Sequence, residues 1–457
     1  MNRTLRFLPL FLFILYFVPL RAQVGTEFWF AAPWMNSHHT GEADFHMILS
    51  AYEHDAHVRI TQPANADKLW ADTVGMAHSY LDLILVPKSD HKILAETNLE
   101  APYNKVAQRG LHITADADIS AYYQITHANG EAFTLKGENA LGTNFVVMSQ
   151  NKHPNQANYN GYISHNNSIQ IVATEDQTSV TITPSAPILL ADGTSSTNPI
   201  TVTLNKGETY AVEAASTEGA KHLIGTTVTA TKPIAVTTAD DSVVAGSGQD
   251  AVGEQLVSTD YAGTEYTVIP LANVSYESIY ILALYPNTNI ELVNKDAPTQ
   301  LTLDAAGQVQ SYTISDVTYI KADQPIQVFQ FTNKQGESGG TVLPQMLCTG
   351  SRRVTYKRIP NSDWVIMNIL TKTVNTDYFY VNGNEIPAES FSPVPGTDNM
   401  WSYLSLDVSA KPASMPLELE TKRGVFQLGC VDHASQPQGT ITYGFFSNYG
   451  KQSYFTD

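Results

Sequence analysis

One short pattern recurs down the chain: Gly25-Thr26-Glu27-Phe28, Gly142-Thr143-Asn144-Phe145 and Gly263-Thr264-Glu265-Tyr266. Repetition on this scale constrains a fold more than composition does, because each copy must adopt one structure and then find a neighbour or a core of its own. A hairpin-like segment follows each opening, at Met47 to Ile60, Ile169 to Ile182 and Tyr280 to Leu292. Each copy closes with a strand, a short turn and a strand, at Leu111 to Tyr123, Val228 to Val236 and Tyr319 to Val328, with Pro233-Ile234 matching Pro325-Ile326. A weaker fourth copy starts near Gly350-Ser351, with Val365 to Val381 as its hairpin and Leu417 to Leu428 as its closing pair. The interval before this fourth opening is the shortest, which predicts that the third unit has lost a segment.

Within the copies the periodicity is that of strands. Ser168-Ile169-Gln170-Ile171-Val172, Val180-Thr181-Ile182-Thr183 and Ile200-Thr201-Val202-Thr203-Leu204 alternate with period two and are rich in β-branched residues. Turn residues punctuate them, as at Asp192-Gly193, Asn205-Lys206-Gly207-Glu208 and Asn382-Gly383-Asn384. The class is all-β, with about six to eight short strands per copy, the size of one β-sandwich. The expected units are 23–141, 142–262, 263–349 and 350–457. The spacing allows a tandem run of sandwich-like units, or units that share sheets in one pseudo-symmetric body as propeller blades do.

Residues 1–22 read as a signal peptide: Arg3 and Arg6 precede an apolar run from Phe7 to Leu20, and Ala22 is a small residue at the cleavage position. Export to the periplasm, the outer cell surface or the medium follows, with no transmembrane segment after the signal. The chain carries 26 Lys and Arg against 44 Asp and Glu, a formal net charge of −18. That balance argues against nucleic acid, whose phosphates need clustered cations. Two cysteines rule out a disulfide-dense scaffold.

Several segments together resemble the IgGFc-binding protein N-terminal domain family. They are Gly25-Thr26-Glu27-Phe28, the run Gln249-Asp250-Ala251-Val252-Gly253-Glu254-Gln255-Leu256, Gly263-Thr264-Glu265-Tyr266 with Thr267 to Leu271, Ser168 to Asp176, and Lys232-Pro233-Ile234-Ala235-Val236. The resemblance covers residues 25 to about 345, and the fourth copy looks like a bacterial variant. It implies a secreted or surface recognition and adhesion protein of a host-associated bacterium, without enzymatic activity or cofactor, contacting a host glycoprotein, mucin or IgG Fc. It brings no binding residues that could be carried over. No large anchoring domain follows Asp457, so surface retention calls for a partner. The alternatives are a structural envelope component without a host ligand and a glycan-active enzyme.

Candidate chemistry is sparse. His54, Asp55 and His57 form the most metal-like string, yet aligning Val58, Val180 and Ile290 places it at the same hairpin turn as Glu175 to Ser179 and Tyr285 to Asn289, where short polar residues belong. No Gly-x-x-x-x-Gly-Lys loop occurs, and Gly246-Ser247-Gly248 lacks the strand-to-helix context of a nucleophile elbow. Aromatics are the better lead, because Tyr and Trp pair a flat apolar face with a polar handle. Tyr159, Tyr162 and Trp34 lie in or beside loops rich in Asn, His and Gly and are the ligand-binding candidates, whereas Trp29 is expected to fill a sandwich core. Cys348 and Cys430 flank the fourth copy, and a disulfide between them would contribute about 4–5 kcal/mol in the chain-entropy account.

Overall fold

The computed structural model describes residues 24–34, 44–86, 102–126, 130–156, 158–159, 162–163, 166–246, 248–271, 274, 276–347, 349–359, 361–412, 414–435 and 440–449. The segment read as a signal peptide, and Cys348, lie outside them.

The first unit contains β1 (Gly25–Phe30), β2 (Asp44–Ala51), β3 (Ala56–Gln62), β4 (Lys68–Gly75), β5 (Ser79–Val86), β6 (Leu111–Thr126) and β7 (Ala132–Leu135). The amino-terminal half of β6 lies between β1 and β3, with Ile113 opposite both Phe28 and Ile60. Its carboxy-terminal half lies between β2 and β7, with Tyr123 opposite Met47 and Phe133. One strand therefore belongs to two sheets, β1-β6-β3-β4 and β7-β6-β2-β5, which fold over a core including Phe28, Phe30, Phe45, Met47, Val58, Ile60, Ile113 and Tyr123.

The second unit repeats this plan with β8 (Gly142–Val146), β11 (Ser168–Ala173), β12 (Thr178–Thr183), β15 (Ile200–Leu204), β16 (Thr209–Glu213), β17 (Thr227–Ala245) and β18 (Gly248–Gln255). It adds two ribbons, β9 (Asn158–Tyr159) with β10 (Tyr162–Ile163) and β13 (Ile188–Leu189) with β14 (Ser195–Ser196). The third has β19 (Gly263–Val268), β20 (Tyr276–Ala283), β21 (Thr288–Val293), β22 (Thr299–Leu303), β23 (Val309–Thr313), β24 (Thr318–Lys334) and β25 (Glu337–Val342). It keeps every strand of the plan, contrary to the expectation of a lost segment. The second unit is longer because of its added ribbons.

Pro233 and Pro325 sit where β17 and β24 pass from one sheet to the other. A residue without an N–H suits the place where a ladder changes partners. The carbonyl of Pro233 still accepts from the Thr174 N–H at 3.3 Å and its hydroxyl at 2.7 Å.

The fourth unit comprises β26 (Arg353–Tyr356), β27 (Trp364–Lys372), β28 (Phe379–Val381), β29 (Asn384–Ile386), β30 (Ser392–Pro393), β31 (Trp401–Asp407), β32 (Leu417–Thr421), β33 (Phe426–Ala434) and β34 (Thr440–Phe445). Its sheets are β26-β32-β28-β29 and β30-β31-β27-β33-β34. The topology matches the others once β32 and β33 are taken together as the bent strand, interrupted at residues 422–425.

Among the described residues every sheet of named strands stays inside its unit, so each unit keeps its own sandwich, and the isolated bridges Tyr103 to Ala211 and Ala107 to Thr209 tie the first unit to the second. They nevertheless close into a ring. The last strand of each turns inward, β7 packing on β18, β18 on β25, β25 on β34 and β34 on β7. The approach is close: a Cβ on Gly253 would stand 2.3 Å from the Phe133 ring, and one on Gly444 2.7 Å from Thr134. Around the rim, the outward face of one unit's second sheet covers the neighbour's opening strand. Val172 and Ala235 cover Trp29 and Ala31, Leu370 lies with Ile269, and Ile48 and Tyr122 meet Val354 and Tyr356. The second and third units join through His153 stacked on Phe331 at 5.0 Å and Asn333 Nδ2 donating to the Ala245 carbonyl at 2.8 Å. Val24 N–H reaches Asn448 Oδ1 at 3.3 Å, so the first and fourth units also meet.

A buried ion pair occupies the hub. Lys136 Nζ, just past β7, is 2.6 Å from Glu254 Oε1 on β18, and both side chains are sealed from solvent. Glu254 also accepts from Thr134 Oγ1 at 3.0 Å and from Thr341 Oγ1 at 2.5 Å, and Lys136 Nζ lies 5.2 Å from the centre of the Tyr449 ring. All four units thus contribute to one charged centre. Removing one partner of such a pair strands the other charge in low dielectric. Lys136→Met is expected to destabilise the chain by about 3–5 kcal/mol, and Glu254→Met in the same chain to recover part of that loss. The shifts of the urea unfolding transition for single and double variants measure both.

Other carboxyls are buried as well. Burial raises Glu131 well above the usual carboxylate range, against the N–H groups of Ala132, Gly253 and Tyr443. Burial and the adjacent Glu337 raise Asp250. Burial pushes Glu277 up to about 8 and Asp432 to about 7. A carboxyl whose folded pKa lies above its unfolded value contributes stability that is lost as pH rises through the folded pKa. The histidines held down by burial, His112 and His153 (the latter to about 4), act only below their unfolded pKa of about 6.5. Thermal unfolding between about pH 6.5 and 7.5, above those histidines and below the range in which the unfolded Cys430 thiol ionises, therefore reads the carboxyls. The melting temperature should fall across that window, and Asp432→Asn should flatten part of the fall.

Candidate functional site

The turn between β2 and β3 carries His54 and Asp55, with His57 on β3. Asp55 Oδ1 accepts from the Ala77 N–H at 2.8 Å, and His57 Nε2 lies 2.5 Å from Asp72 Oδ1. Their partners are thus a loop N–H and the neighbouring strand. Among the described residues no three His, Cys, Asp or Glu side chains gather closely enough to hold a metal ion. Tyr159 and Tyr162 are backbone register partners in the β9–β10 ribbon. Cys430 is buried on β33, and with Cys348 outside the described residues the expected bridge rests on the sequence alone.

Trp29 is 2% exposed, as expected of a buried residue, but it fills a seam and not a sandwich core. Its ring packs with Val172 and Ala235 of the second unit, stacks on His112 at 4.0 Å and lies 5.6 Å from Lys206 Nζ. Its Nε1 donates to Glu27 Oε1 at 3.0 Å, the same oxygen that lies 2.8 Å from His112 Nε2. Burial holds the His112 imidazole below its ordinary pKa despite that carboxylate.

Beside this seam the first two units leave an open cleft of about 450 Å³. It is lined by Asn65, Pro102, Lys105, Val106, Ala107, Gln108, Arg109 and Glu208. Three segments meet there: the turn between β3 and β4, the stretch 102–110 leading into β6, and the turn between β15 and β16. The stretch 102–110 is fastened to the second unit. Asn104 N–H donates to the Ala211 carbonyl at 2.8 Å, Ala107 and Thr209 exchange N–H bonds at 3.0 and 2.7 Å, and Gly110 N–H donates to the Gly207 carbonyl at 3.1 Å. Gln62 Nε2 holds the Arg109 carbonyl at 3.1 Å. Half-buried Trp34 stacks on Tyr103 of this stretch at 5.6 Å, so one of the three aromatic candidates is tied to the segment that lines the cleft.

The cleft residues escape a motif search, because Lys105 and Arg109 belong to no signature and only the fold brings them to Asn65 and Glu208. The available signal is a pair of cations among turn formers, Pro102, Asn104 and Gly110, in an acidic chain.

No curated protein matches this chain. Among solved structures, Streptomyces avermitilis α-L-rhamnosidase complexed with L-rhamnose aligns over 91% of this chain and 58% of its own, at 10% identity and a TM-score of 0.12, too low to carry an argument. The family described as IgGFc binding protein matches residues 131–444, from the last strand of the first unit into the last strand of the fourth. That span is most of the chain, and it takes in the inward strands, the hub pair and three of the four sandwiches: the chain belongs to the IgGFc-binding protein family.

Proposed function

We propose that the protein is an exported bacterial recognition protein that binds a host glycoprotein, mucin or immunoglobulin, and that the rim between its first two units takes part in contact. The observation that carries this reading is the family match over residues 131–444, in a family of binding proteins whose members are typically extracellular. The architecture supports it. Four sandwiches locked at a hub hold their seams and loops in fixed relation, and rigid presentation lowers the ordering cost of binding. The sequence adds the leader-like segment 1–22. Among the described residues no helix is long and apolar enough to cross a membrane.

Binding of the purified chain to immobilised mucin and to IgG Fc, in parallel at about 150 mM salt, tests the reading under physiological screening. Saturable binding to either is expected. A calcium requirement would bring His54, Asp55 and His57 back as ligands. Absence of binding to both overturns the proposal in favour of a structural role in the envelope.

A further inference from the structure

We propose that the outer edge of the third unit, strand β23, takes up an extended segment of another polypeptide as an added strand. This goes beyond the recognition reading and does not depend on it. Strands β16 of the second unit and β23 of the third hold one place in the repeat, at the sheet edge beside β11 and β20. Their entries are built alike. Gly207 and Gly307 share a left-handed backbone, with φ of 79° and 78°, and donate their N–H groups to the Ala173 and Ala283 carbonyls, each at 2.8 Å. Ala173 and Ala283 in turn donate to the Glu208 and Gln308 carbonyls, each at 3.1 Å. Thr209 therefore corresponds to Val309, and Ala211 to Ser311.

In the second unit this edge is covered. Thr209 turns its N–H and C=O away from β11, and both bond Ala107 of the first unit, at 2.7 and 3.0 Å. The Ala211 carbonyl accepts from the Asn104 N–H at 2.8 Å, and all five residues of β16 are buried. In the fourth unit β30 lies along the matching edge, with Ser392 opposite Tyr403 of β31.

Strand β23 has no such cover among the described residues. Val309 and Ser311 carry the same outward main-chain groups, and what meets them is the neighbouring Gln310, whose Nε2 reaches the Ser311 carbonyl at 3.2 Å. None of the five residues of β23 is fully buried. The segment that would have to cover it, residues 214–226, is tied back into the second unit. Ala214 and Leu223 donate to the Asn167 carbonyl and Oδ1, both at 2.7 Å. Gly225 stands close to the Gly307 carbonyl, as Gly110 does to Gly207, but donates to Val147 at 2.9 Å.

Proteins blunt exposed edges with charge, proline or a bulge, because a row of unpaired N–H and C=O groups templates another strand. Val309-Gln310-Ser311-Tyr312-Thr313 carries no charge and no proline, and its register with β20 runs without a bulge. Main-chain bonding then supplies the affinity of an added strand. The occupant must offer free N–H groups along an extended backbone, which excludes proline at the bonding positions. The stretch 102–110 shows an extended segment from outside the unit seated in this way on the equivalent edge.

Amide hydrogen exchange and fluorescence anisotropy on the full chain test the proposal, with a capped, labelled peptide of residues 102–110 as the probe. Without peptide, the Val309 amide should exchange at least about tenfold faster than that of Thr209. The peptide should bind saturably and slow exchange at Val309. Ser311→Pro removes an outward N–H that no ladder uses, so it should weaken binding about tenfold or more without changing the melting temperature. N-methylation of the peptide at Ala107 should weaken binding to the parent chain by a similar factor. Protection of Val309 equal to that of Thr209 in the free chain would overturn the inference. So would peptide binding indifferent to both changes, or no binding at all. Protection of Val309 that grows with protein concentration alone would assign the edge to a second copy of this chain and overturn the reading of a separate partner.

Discussion

The contact on which the rest of the molecule depends is the buried pair between Lys136 and Glu254. Two opposite charges taken out of water are a poor source of net stability, because desolvation offsets most of their attraction. Their value is specificity. Thr134 from the first unit and Thr341 from the third address the same carboxylate, and Tyr449 lies beside the ammonium. An arrangement in which any one unit turned away would leave a charge or a hydroxyl unpaired in the interior. Hydrophobic seams such as Trp29 on Val172, or Tyr122 on Tyr356, tolerate small slips. The hub does not, and it fixes which strand of each unit faces the axis.

The second constraint is the shared strand. β6, β17 and β24 each pair with four others, two in each half, so the two sheets of a sandwich cannot separate or slide independently. Closing proline residues at the crossing explain why Pro233-Ile234 and Pro325-Ile326 match in sequence. The first unit makes the same crossing through Asp116-Ala117-Asp118, and the fourth gives it up in favour of two strands joined at residues 422–425. The fourth copy is weak in sequence because the residues that define a continuous bent strand are no longer required there.

These facts explain what could be read from the chain alone. The all-β class and the repeated units were legible because β12, β15 and β21 bury one face and expose the other, which writes a period of two. The hairpin turns aligned because Gln177 and Asn287 share a left-handed backbone at equivalent places. The ring was not legible. The inward strands β7, β18 and β25 are buried on both faces, so alternation disappears and Gly253, Glu254 and Gln255 look like a polar loop. The expectation that the third unit had lost a segment failed for a related reason: an interval counts connections and ribbons as well as strands, and residues 87–110 lengthen the first unit, as β9, β10, β13 and β14 lengthen the second, without altering the sandwich plan.

The same logic locates where recognition can occur. A propeller with an open axis can hold a ligand in its channel, but here the axis is filled by Phe133, Lys136, Glu254, Tyr443 and Tyr449, each buried. Burying both faces of the inward strands leaves the rim as the accessible surface, made of the seams between units and the loops that cross them. Seams between repeats are also where the copies are free to differ, since the strands themselves must preserve the shared plan. The first seam differs most visibly, with a stretch at 102–110 that adds two isolated bridges, Tyr103 to Ala211 and Ala107 to Thr209, and stacks Tyr103 on Trp34. In a repeat protein whose centre is committed to holding the copies together, chemistry that departs from the repeat is the part available to a ligand.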